Sequence, residues 1–302
     1  MKKVIQQVSV FICTYNRGNL INGTLEALIK KQTRIPDQIV IVNGGGINDC
    51  QPILEQWRNS FNQIKILRTH NVNLAASRNI GLPFCEGDLI LQTDDDARPF
   101  PDWVERIIKA HETYLNAGVI GGDVIDNIGE SFLSQVSDMA TFPHHYTTCE
   151  VKNLPGVNAS YKKEVINEVG KYDETLFRGE DVDYNWRVMK KGWKVVYIPE
   201  IKVAHIHRPT WNGLINQHYM YGRAHFLVRK KWPDMYSYYP IKIDSLYSSL
   251  KWLASWVWFP WVDAYRKVKK INKSINGFDL FVLSTINIVN RIGSAVQRNI
   301  YD

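Results

Sequence analysis

The chain has 302 residues, of which 45% are hydrophobic and 22% are charged, a balance typical of an ordinary globular protein. No apolar run reaches the ~18 residues that a membrane-spanning helix needs, and polar residues interrupt the amino-terminal stretch before a signal-peptide core develops. The charge is uneven: residues 1–200 carry 22 Lys and Arg against 25 Asp and Glu, whereas residues 201–302 carry 15 against 5 and six of the ten Trp.

The four cysteines are widely spaced and form no C-x-x-C pair. They are Cys13, Cys50, Cys85 and Cys149. Three of them lie in or beside apolar stretches, which favours reduced thiols in a protein core. We therefore expect a cytoplasmic protein rather than a disulfide-stabilised secreted one.

The first part of the chain alternates short apolar runs with segments of helical spacing. Runs rich in β-branched residues predict strands at 8–13, 38–42, 63–67 and 88–93. Apolar residues at helical spacing predict helices around 20–28, 53–57 and 75–82. This alternation predicts an α/β fold with a Rossmann-like, mainly parallel sheet flanked by helices.

The later elements are less regular. Residues 118–126 predict another strand, and residues 127–155 predict an irregular region. A helix is predicted over 179–192, because acidic residues occupy its first turn and basic residues its last. Two further strands are predicted at 193–199 and 201–207, and the pattern becomes helical and basic from about residue 211.

Each of the first four predicted strands is followed by a polar loop. The loops begin with the sequences TYNR, NGGG, RTHN and DDDA. Ligands bind beyond the carboxyl ends of strands in open parallel sheets, so a ligand site is expected at this edge. The NGGG loop has a second interpretation as a flexible turn rather than a phosphate or ribose loop.

Three consecutive carboxylates follow the fourth predicted strand, namely Asp94, Asp95 and Asp96. Successive strand residues point to opposite sides, so Asp94 and Asp96 can converge while Asp95 faces away. Two convergent carboxylates suit Mg²⁺ or Mn²⁺, which take further ligands from water and substrate phosphates. The alternative is an acidic turn exposed to solvent.

Histidine and acidic residues later in the chain could complete such a site. His205 could be a metal ligand or a structural residue at a strand end, and His207 has the same parity and competes for the role. Glu180 and Asp181 begin the predicted helix, where the helix dipole alone favours carboxylates. A helix terminus could equally hold a catalytic base still at a cleft. Arg17 could neutralise a diphosphate or lie at the surface.

Taken in order, these segments resemble the family 2 glycosyltransferases with the A-type nucleotide-sugar-binding fold. The resemblance covers about residues 8–207. The segments that carry it are VSVFICTYNR, QIVIVNGG, NLAASRNIG, LQTDDDARPFPDW, GVNASYKKEVINEVGKYDE, GEDVDYNWRVMKKGW and VAHIH. It implies the glycosyltransferase A-type fold and transfer of a sugar from a nucleotide diphosphate, expected to be a UDP-sugar, with inversion and with Mn²⁺ or Mg²⁺ as cofactor.

The resemblance also implies roles for individual residues. The first nucleotide-contacting loop would consist of Thr14, Tyr15, Asn16 and Arg17. Arg78 would lie near the diphosphate, Asp94 and Asp95 near the ribose and phosphates, and Asp96 and His205 on the metal. Asn158 and Glu180 would contact the acceptor, and Asp181 would be the general base. Asn43 would meet the base of the nucleotide, although the family commonly has Asp there, which leaves the identity of the base open.

Two other function classes use the same features. A metal-dependent phosphohydrolase acting on nucleotide-sugars would use the acidic triplet, but it should show further ligands for a second metal. An inactive nucleotide-sugar-binding module would keep the fold and lose the base. A nucleic-acid partner is not expected, because no recognised binding motif accompanies the basic charge.

We expect a catalytic domain over residues 1–230 and a basic, Trp-rich helical extension over residues 231–302. Within residues 241–302, apolar residues at helical spacing, interfacial Trp and Tyr and a basic cluster predict an element that lies in the plane of a membrane surface. A helical cap on the catalytic domain and a dimer interface are the alternatives. On the membrane interpretation, the enzyme is peripheral on the inner face of the cytoplasmic membrane and a lipid-linked saccharide is the natural acceptor.

Overall fold

The computed structural model of the chain describes residue 5 and residues 7–126, 132–206, 210–235, 242–270 and 277–301. The chain forms two compact units. Unit 1 comprises residues 1–127 and 145–206, and unit 2 comprises residues 128–144 and 207–302. The predicted functional boundary after residue 230 stays a prediction.

Unit 1 begins with the predicted alternation of strands and helices. Its strands are β1 (Val8–Thr14), β2 (Gln38–Asn43), β3 (Ile64–Arg68) and β4 (Leu89–Asp94). The helices between them are α1 (Leu20–Ile29), α2 (Gln51–Ser60) and α3 (Leu74–Gly81). The four strands pair in parallel in the order β3-β2-β1-β4. All seven elements confirm the predictions to within a few residues. Strands β1, β2 and β4 are buried along most of their length, as expected for central parallel strands, whereas β3 at the edge of the sheet is mostly half-buried.

The remaining strands continue the same sheet with mixed directions. They are β5 (Ala97–Pro99), β6 (Ala117–Asp126), β7 (Cys149–Glu150), β8 (Ala159–Lys162) and β9 (Lys194–His205). The sheet order is β3-β2-β1-β4-β8-β6-β9-β5, and β7 also pairs with β9. Strand β8 is antiparallel to β4 and β6, whereas β6 and β9 are parallel. The structure therefore confirms the α/β class, with a sheet that is parallel in its first half and mixed in its second.

Strand β9 corrects the prediction of two separate strands. It runs unbroken from Lys194 to His205, and its pairing with β6 shifts register between Gly122 and Asp123. Pro199 lies in the unpaired part of β9 at this irregularity, where the missing backbone N–H is not needed. The proline thus marks a bulge and not the end of a strand.

Helices pack their apolar residues on the sheet of unit 1. Helix α1 buries Ile21, Leu25 and Leu28, which recur at helical spacing. Three further helices complete the unit: α4 (Trp103–Thr113), α6 (Lys163–Val169) and α7 (Glu180–Lys190). Helix α7 confirms the helix predicted over 179–192. Its amino-terminal cap, Gly179, has a φ of 75°, which only glycine adopts without strain.

Unit 2 is helical. Its helices are α5 (Phe132–Thr141), α8 (Trp211–Lys231), α9 (Leu246–Val257), α10 (Phe259–Lys270) and α11 (Gly277–Tyr301). Helices α8 and α11 approach so closely that a Cβ added to Gly222 would lie 1.8 Å from the carbonyl oxygen of Asn290. Within the part of the chain that the structure describes, no helix is both long enough and apolar enough to cross a membrane.

The prediction of an irregular region over 127–155 is wrong in part. Residues 127–131 lie outside the described residues, but Phe132–Thr141 form helix α5 and Cys149–Glu150 form strand β7. Helix α5 contributes Val136 and Met139 to the apolar core of unit 2. Its formation therefore depends on packing partners distant in sequence, which local pattern does not reveal.

Candidate active site

The carboxyl ends of β1, β2 and β4 lie side by side in unit 1. Strand pairing aligns Thr14 with Asn43 across β1 and β2, and it aligns Cys13 with Asp94 across β1 and β4. The polar loops after these strands therefore meet at one edge of the sheet. This is where open parallel sheets bind ligands, as the sequence predicted.

Three potential metal ligands converge at this edge. Single ligand atoms of Asp94, Asp96 and His205 all lie within 4.8 Å of one another. Nε2 of His205 lies 3.1 Å from Oδ1 of Asp96. The competing histidine, His207, lies outside the described residues. The structure thus brings together Asp96 and His205, which the resemblance implies as metal ligands, with Asp94, whose convergence with Asp96 was expected from the alternation of strand residues.

The strand pairing explains how His205 reaches the acidic triplet from more than 100 residues away. Strand β5, which directly follows Asp96, pairs antiparallel with the end of β9, and Ala97 lies opposite His205. The backbone N–H of Ile206 also donates to the carbonyl oxygen of Asp96 at 3.2 Å. Backbone bonds therefore hold the histidine and the carboxylates together even before any ligand binds.

Burial and mutual repulsion perturb the three carboxylates. Burial, followed by the neighbouring charge of Asp96, raises the pKa of Asp94, and the same causes raise the pKa of Asp95 to about 7. For Asp96, burial acts in the same direction, but the hydrogen bond and charge of His205 outweigh it and lower the pKa. Crowded buried carboxylates of this kind are stabilised as anions by a cation placed among them.

Arg17 supplies part of that positive charge. Its Nη1 lies 3.1 Å from Oδ2 of Asp96, and its Nε lies 3.8 Å from Oδ1 of Asp95. The Arg17 side chain is 42% exposed, so it reaches in from the solvent side of the carboxylates. The other oxygen of Asp95, Oδ2, accepts a 2.6 Å hydrogen bond from Thr14. Asp95 is thus held by the first loop, while Asp94 and Asp96 converge on His205.

The donor set fits a divalent cation. Carboxylate oxygens suit Mg²⁺ and Mn²⁺, and an added imidazole nitrogen suits Mn²⁺ in particular. Burial and the charge of Asp96 raise the pKa of Asp94, and a cation bound between the carboxylates would counteract both effects. An acidic turn exposed to solvent, the other interpretation of the triplet, is not what the structure has, because Asp95 and Asp96 are buried.

Asp181 lies in the first turn of α7. Its Oδ2 accepts a hydrogen bond from the backbone N–H of Gly156 at 3.3 Å, and its Oδ1 accepts one from Val182 at 2.8 Å. Glu180 beside it is buried and forms a 2.5 Å ion pair with Arg78. The helix terminus therefore carries one buried, paired carboxylate and one carboxylate that is only partly buried.

Arg78 connects the helix terminus to the acidic edge. It is 3% exposed, and its guanidinium carbon lies 5.2 Å from the centre of the Tyr172 ring. Burial opposes its charge, but Glu180, Tyr172 and Asp181 outweigh that effect and raise its pKa. The same guanidinium also counteracts the rise in the pKa of Asp94. The acidic triplet and Asp181 therefore lie at the same edge of unit 1.

Gly156 is the contact point between these groups. A Cβ added to Gly156 would lie 2.4 Å from both Nη2 of Arg78 and Nε2 of Gln92. Nε2 of Gln92, which lies on β4 two residues before Asp94, donates to the carbonyl oxygen of Gly156 at 3.2 Å. A side chain at position 156 would therefore displace groups that hold Asp181 in place.

Asn43 is buried and uses all its hydrogen-bonding groups within the protein. Its Nδ2 donates to Oδ1 of Asp49 at 2.9 Å and to Oε1 of Gln51 at 2.8 Å, while its Oδ1 accepts from the N–H of Gly45. A carboxylate at position 43 could not donate to Asp49. These contacts explain why an amide stands there, and they give no support to the predicted contact of Asn43 with the nucleotide base.

Asn158 also uses its side-chain hydrogen-bonding groups within the protein. Its Nδ2 donates to the carbonyl oxygens of Asp123 and Ile201, both at 2.9 Å, and its Oδ1 accepts from the indole of Trp103 at 2.9 Å. The side chain is fully buried. It therefore cross-links β6, β9 and α4, and the predicted acceptor contact receives no support from these bonds.

The loop after β1 is more exposed to solvent than Asn43 and Asn158 are, since Tyr15, Asn16 and Arg17 are all exposed. Asn16 adopts a φ of 56°, and its Oδ1 accepts from the N–H of Asn48 at 2.7 Å, which ties the first loop to the second. Tyr15 is 48% exposed. A ring exposed beside a loop of glycines offers a stacking surface for a planar ligand.

Residues 9–170 match the pattern of glycosyl transferase family 2. The chain belongs to this family. The match ends before Asp181 and His205, so the placement of these two residues comes from the fold and not from the family pattern.

This family 2 chain is similar to several characterised proteins. It is 30% identical to the glucosyl-dolichyl phosphate glucuronosyltransferase of Haloferax volcanii over 186 residues, which cover 58% of each chain. It is 25% identical to the pre-mycofactocin glycosyltransferase of Mycobacterium tuberculosis, over 65% of this chain and 43% of the relative. The chain thus spans about half of the length of these relatives.

A solved structure has the same fold. The mannosyltransferase of Pyrobaculum calidifontis, in complex with GDP-Man and Mn²⁺, superposes with a TM-score of 0.64 at 14% identity, covering 97% of this chain and 87% of that one. This likeness confirms the predicted glycosyltransferase A-type fold for the family 2 chain.

Sequence reasoning missed three residues of the site. Asp49 forms an ion pair with Arg68, whose Nη2 lies 2.5 Å from Oδ2 of Asp49, and Gln92 holds Gly156. Asp49 lies six residues after Asn43 in the NGGG loop, and Arg68 ends β3 at the same edge. The position of Arg68 at the end of β3 was a usable signal, because polar residues there face the ligand side of the sheet. Asp49 and Gln92 do not lie at strand ends.

Proposed function

We propose that this chain is an inverting glycosyltransferase that moves a sugar from a nucleotide diphosphate to a hydroxyl of a saccharide or lipid-linked saccharide. The observation that carries the proposal is the meeting of two sets of groups at one sheet edge. One set is the cluster of Asp94, Asp96 and His205. The other is Asp181, joined to the first through Arg78 and Gln92.

Asp181 performs the proton transfer. Its carboxylate accepts the proton of the acceptor hydroxyl as the hydroxyl oxygen forms a bond to the anomeric carbon. The bond from that carbon to the diphosphate oxygen breaks, and its electron pair leaves with the nucleoside diphosphate. One displacement inverts the anomeric centre. The helix terminus keeps Asp181 oriented, because the N–H groups of Gly156 and Val182 bind its two oxygens.

Glu180 and Arg78 support this base. Arg78 is almost fully buried and pairs with Glu180, so it acts on the diphosphate of the donor only at a distance. Its contact with Glu180 fixes the start of α7, and with it the position of Asp181. We therefore propose Arg78 as a positioning residue as well as part of the positive field that a diphosphate meets.

The donor binds over the ends of β1, β2 and β4. Arg17 exchanges its present partners, Asp95 and Asp96, for the diphosphate, since an exposed guanidinium can move and binds phosphate through two parallel hydrogen bonds. Asp95 and Asp94 lie where ribose hydroxyls and phosphates are expected. Thr14, Tyr15 and Asn16 form the wall of the nucleotide site.

The nucleotide base meets Asp49 and Arg68 rather than Asn43. Asp49 keeps its pKa low through hydrogen bonds from Asn43 and Arg68, so it is an anionic acceptor for a base N–H. A UDP-sugar satisfies this arrangement, because uracil has one N–H donor flanked by two carbonyl acceptors.

Asp94, Asp96 and His205 would hold Mn²⁺ or Mg²⁺. The bound ion supplies charge stabilisation to the departing diphosphate. The structural neighbour from Pyrobaculum calidifontis is itself a complex with Mn²⁺, which supports this assignment.

The proposed acceptor is a saccharide linked to a membrane lipid, and the proposed location of the enzyme is a membrane surface. The relative from Haloferax volcanii is named for a dolichyl phosphate substrate, which supports a lipid-linked acceptor for this chain. With such an acceptor, we propose that the enzyme is cytoplasmic and peripheral on the inner face of the cytoplasmic membrane.

The test compares the full chain with its Asp181→Asn variant, using a panel of nucleotide-sugars, Mn²⁺ and saccharide acceptors. Wild type releases nucleoside diphosphate only with acceptor present. Asp181→Asn loses transfer by about 10³-fold, within the range of general-base effects, and keeps the thermal shift that Mn²⁺ and nucleotide produce. The matched control, Glu86→Gln, changes an exposed carboxylate to an amide and keeps full activity.

Each competing function has its own outcome. A phosphohydrolase would cleave the nucleotide-sugar without acceptor, and an inactive binding module would show the thermal shift but no turnover in wild type. Transfer by Asp181→Asn within twofold of wild type would remove Asp181 from the role of base.

A further inference from the structure

Helix α9 exposes the side that a helix of a water-soluble protein buries. Four apolar residues recur at spacings of four, three and four, and each is between 55% and 77% exposed. They are Leu246, Leu250, Leu253 and Val257. The buried residues of α9 include two serines, Ser248 and Ser255. An apolar stripe normally faces the core and the polar side faces water, so α9 has the reverse orientation.

The serines account for this orientation. Ser245 and Ser248 form a capping box at the start of α9. Near its end, Oγ of Ser255 accepts a 2.8 Å hydrogen bond from Nε of the buried Arg291 on α11. The guanidinium of Arg291 also lies 5.1 Å from the centre of the Trp256 ring. These contacts fix the polar side of α9 toward α11, so the leucines are left facing outward.

Exposed aromatic residues extend the stripe into α10. Trp258 and Trp261 are 66% and 46% exposed, and Tyr265 follows at the same helical spacing with 45% exposed. Ala264 and Val268 of α10 are buried in the core of unit 2, so Trp261 and Tyr265 lie at the edge of the buried side of this helix. We call the outward residues the α9–α10 apolar face. Its members are Leu246, Leu250, Leu253, Val257, Trp258 and Trp261.

Positive charge accompanies this face. Residues 242–269 contain five Lys and Arg against two Asp. Lys242, Arg266 and Lys269 are exposed. Large exposed apolar patches mark protein or membrane interaction sites. Apolar residues inserted at the headgroup level, Trp at the interface and flanking cations are the combination that binds anionic lipid.

A second copy of the chain fits the face less well. In a symmetric dimer both copies would contribute this surface, so the excess of cations over Asp would be doubled at the interface. Like charges across an interface are unfavourable. Anionic lipid instead complements both the hydrocarbon and the charge.

We propose that the α9–α10 apolar face docks on an anionic lipid surface, with both helices lying in the membrane plane. The leucines and Val257 enter the boundary between headgroups and acyl chains. The Trp rings lie at the headgroup level, and Lys242, Arg266 and Lys269 contact lipid phosphates. None of these residues belongs to the acidic site, so docking and sugar transfer can be tested separately.

The test is flotation of the full chain with vesicles of phosphatidylcholine containing 30% phosphatidylglycerol, against vesicles of phosphatidylcholine alone. Wild type is expected to float at least fivefold more with the anionic vesicles, and 0.5 M NaCl is expected to reduce this preference because salt screens the charges. Leu250→Ser/Leu253→Ser is expected to lose flotation about tenfold. Both leucines are exposed, so the variant keeps the melting temperature of wild type.

The matched control is Ile35→Ser/Leu115→Ser, which removes two exposed apolar residues from unit 1 and is expected to float like wild type. Wild type that stays at the bottom of the gradient overturns the proposal, as does a Leu250→Ser/Leu253→Ser variant that floats unchanged. Light scattering tests whether a second copy of the chain covers the face instead. If wild type is a dimer and this double variant is a monomer, the face is a dimer interface and the lipid proposal is overturned. None of these outcomes depends on turnover, so they leave the test of Asp181 unaffected.

Discussion

Each unit contains a cluster of groups that are costly in water, and the two clusters differ in kind. Unit 1 buries charges, among them Asp95, Asp96, Arg78 and Glu180. Unit 2 leaves hydrocarbon exposed on α9 and α10. Each arrangement is unfavourable in water by itself, because buried charges lose hydration and exposed apolar groups order solvent. Both are therefore expected where a ligand completes the structure: a cation and a diphosphate in unit 1, and a lipid surface in unit 2.

The buried ion pair offers the strongest way to break this comparison. Arg78→Met leaves Glu180 buried without its partner, and removing one member of such a pair costs about 3–5 kcal/mol of the free energy of unfolding. Urea unfolding at pH 7 measures the loss. The double variant Arg78→Met/Glu180→Met is expected to regain most of it, since no charge is left buried. A single variant as stable as wild type would show that the pair contributes nothing to unit 1.

One leucine from each unit gives a direct contrast. Leu25 on α1 is fully buried and Leu253 on α9 is 55% exposed. Leu25→Ala is expected to cost about 2–5 kcal/mol, because it leaves a cavity. Leu253→Ala is expected to change the free energy of unfolding by less than about 0.5 kcal/mol. The same urea titration measures both. A large loss for Leu253→Ala would mean that α9 packs its apolar side in solution.

Asn43→Asp tests whether unit 1 tolerates another carboxylate. The change places a negative charge opposite Asp49 and removes the two hydrogen bonds that Nδ2 donates. We expect a loss of about 1–3 kcal/mol at pH 7, the usual cost of leaving buried polar groups unsatisfied. Thermal melting at pH 7 and at pH 5 measures it, and the loss should be smaller at pH 5, where the carboxylates begin to protonate. Unchanged stability at both values would contradict the structural role of Asn43.

The two units are alike in that each contains a buried histidine. The expected effect of these histidines on the free energy of unfolding is smaller than the effects above. Burial lowers the pKa of His111 in unit 1 and of His218 in unit 2 to about 3. The unfolded chain takes up these protons near pH 6.5, so stability is complete above that pH and falls as the pH drops from 6.5 toward 3. For His111 alone the loss reaches about 2 kcal/mol at pH 5.

Urea unfolding of wild type and of His111→Gln at pH 7 and pH 5 checks this expectation. The variant should lose less stability than wild type between the two values, because glutamine does not titrate. Nε2 of His111 lies 2.9 Å from Oγ of Ser160, a contact that glutamine can retain. An equal loss in both proteins would assign the pH dependence to other groups.

Local pattern was sufficient where an element's own residues decide its structure. Strands β1 to β4 are short runs rich in apolar and β-branched residues, and their positions agree with the predictions. The same reasoning failed at Pro199 and over residues 132–141. Pro199 is accommodated by a bulge that depends on the pairing of β9 with β6. Helix α5 packs in a core made by α8, α10 and α11.

For the candidate site as well, local pattern was sufficient for some residues and not for others. The acidic triplet, His205 and Asp181 were predicted as site residues from residue type, order and position at element ends. The partners of Asn43 and Asn158 were not, because hydrogen bonds between residues remote along the chain leave no local pattern. Asn43 and Asn158 have residue types suited to ligand binding, yet the structure uses both to join its own strands and loops.

The sequence by itself determined the family, the α/β class, the order of the first seven elements and the chemical character of the site. These properties depend on local apolar periodicity and on short motifs, which can be recognised in the sequence without knowledge of the tertiary contacts. Only the tertiary structure decided that Arg78 pairs with Glu180, that Asn43 binds Asp49, and that α9 turns its leucines outward. Each of these depends on which side chains meet across the fold, and that is set by the packing of all elements together.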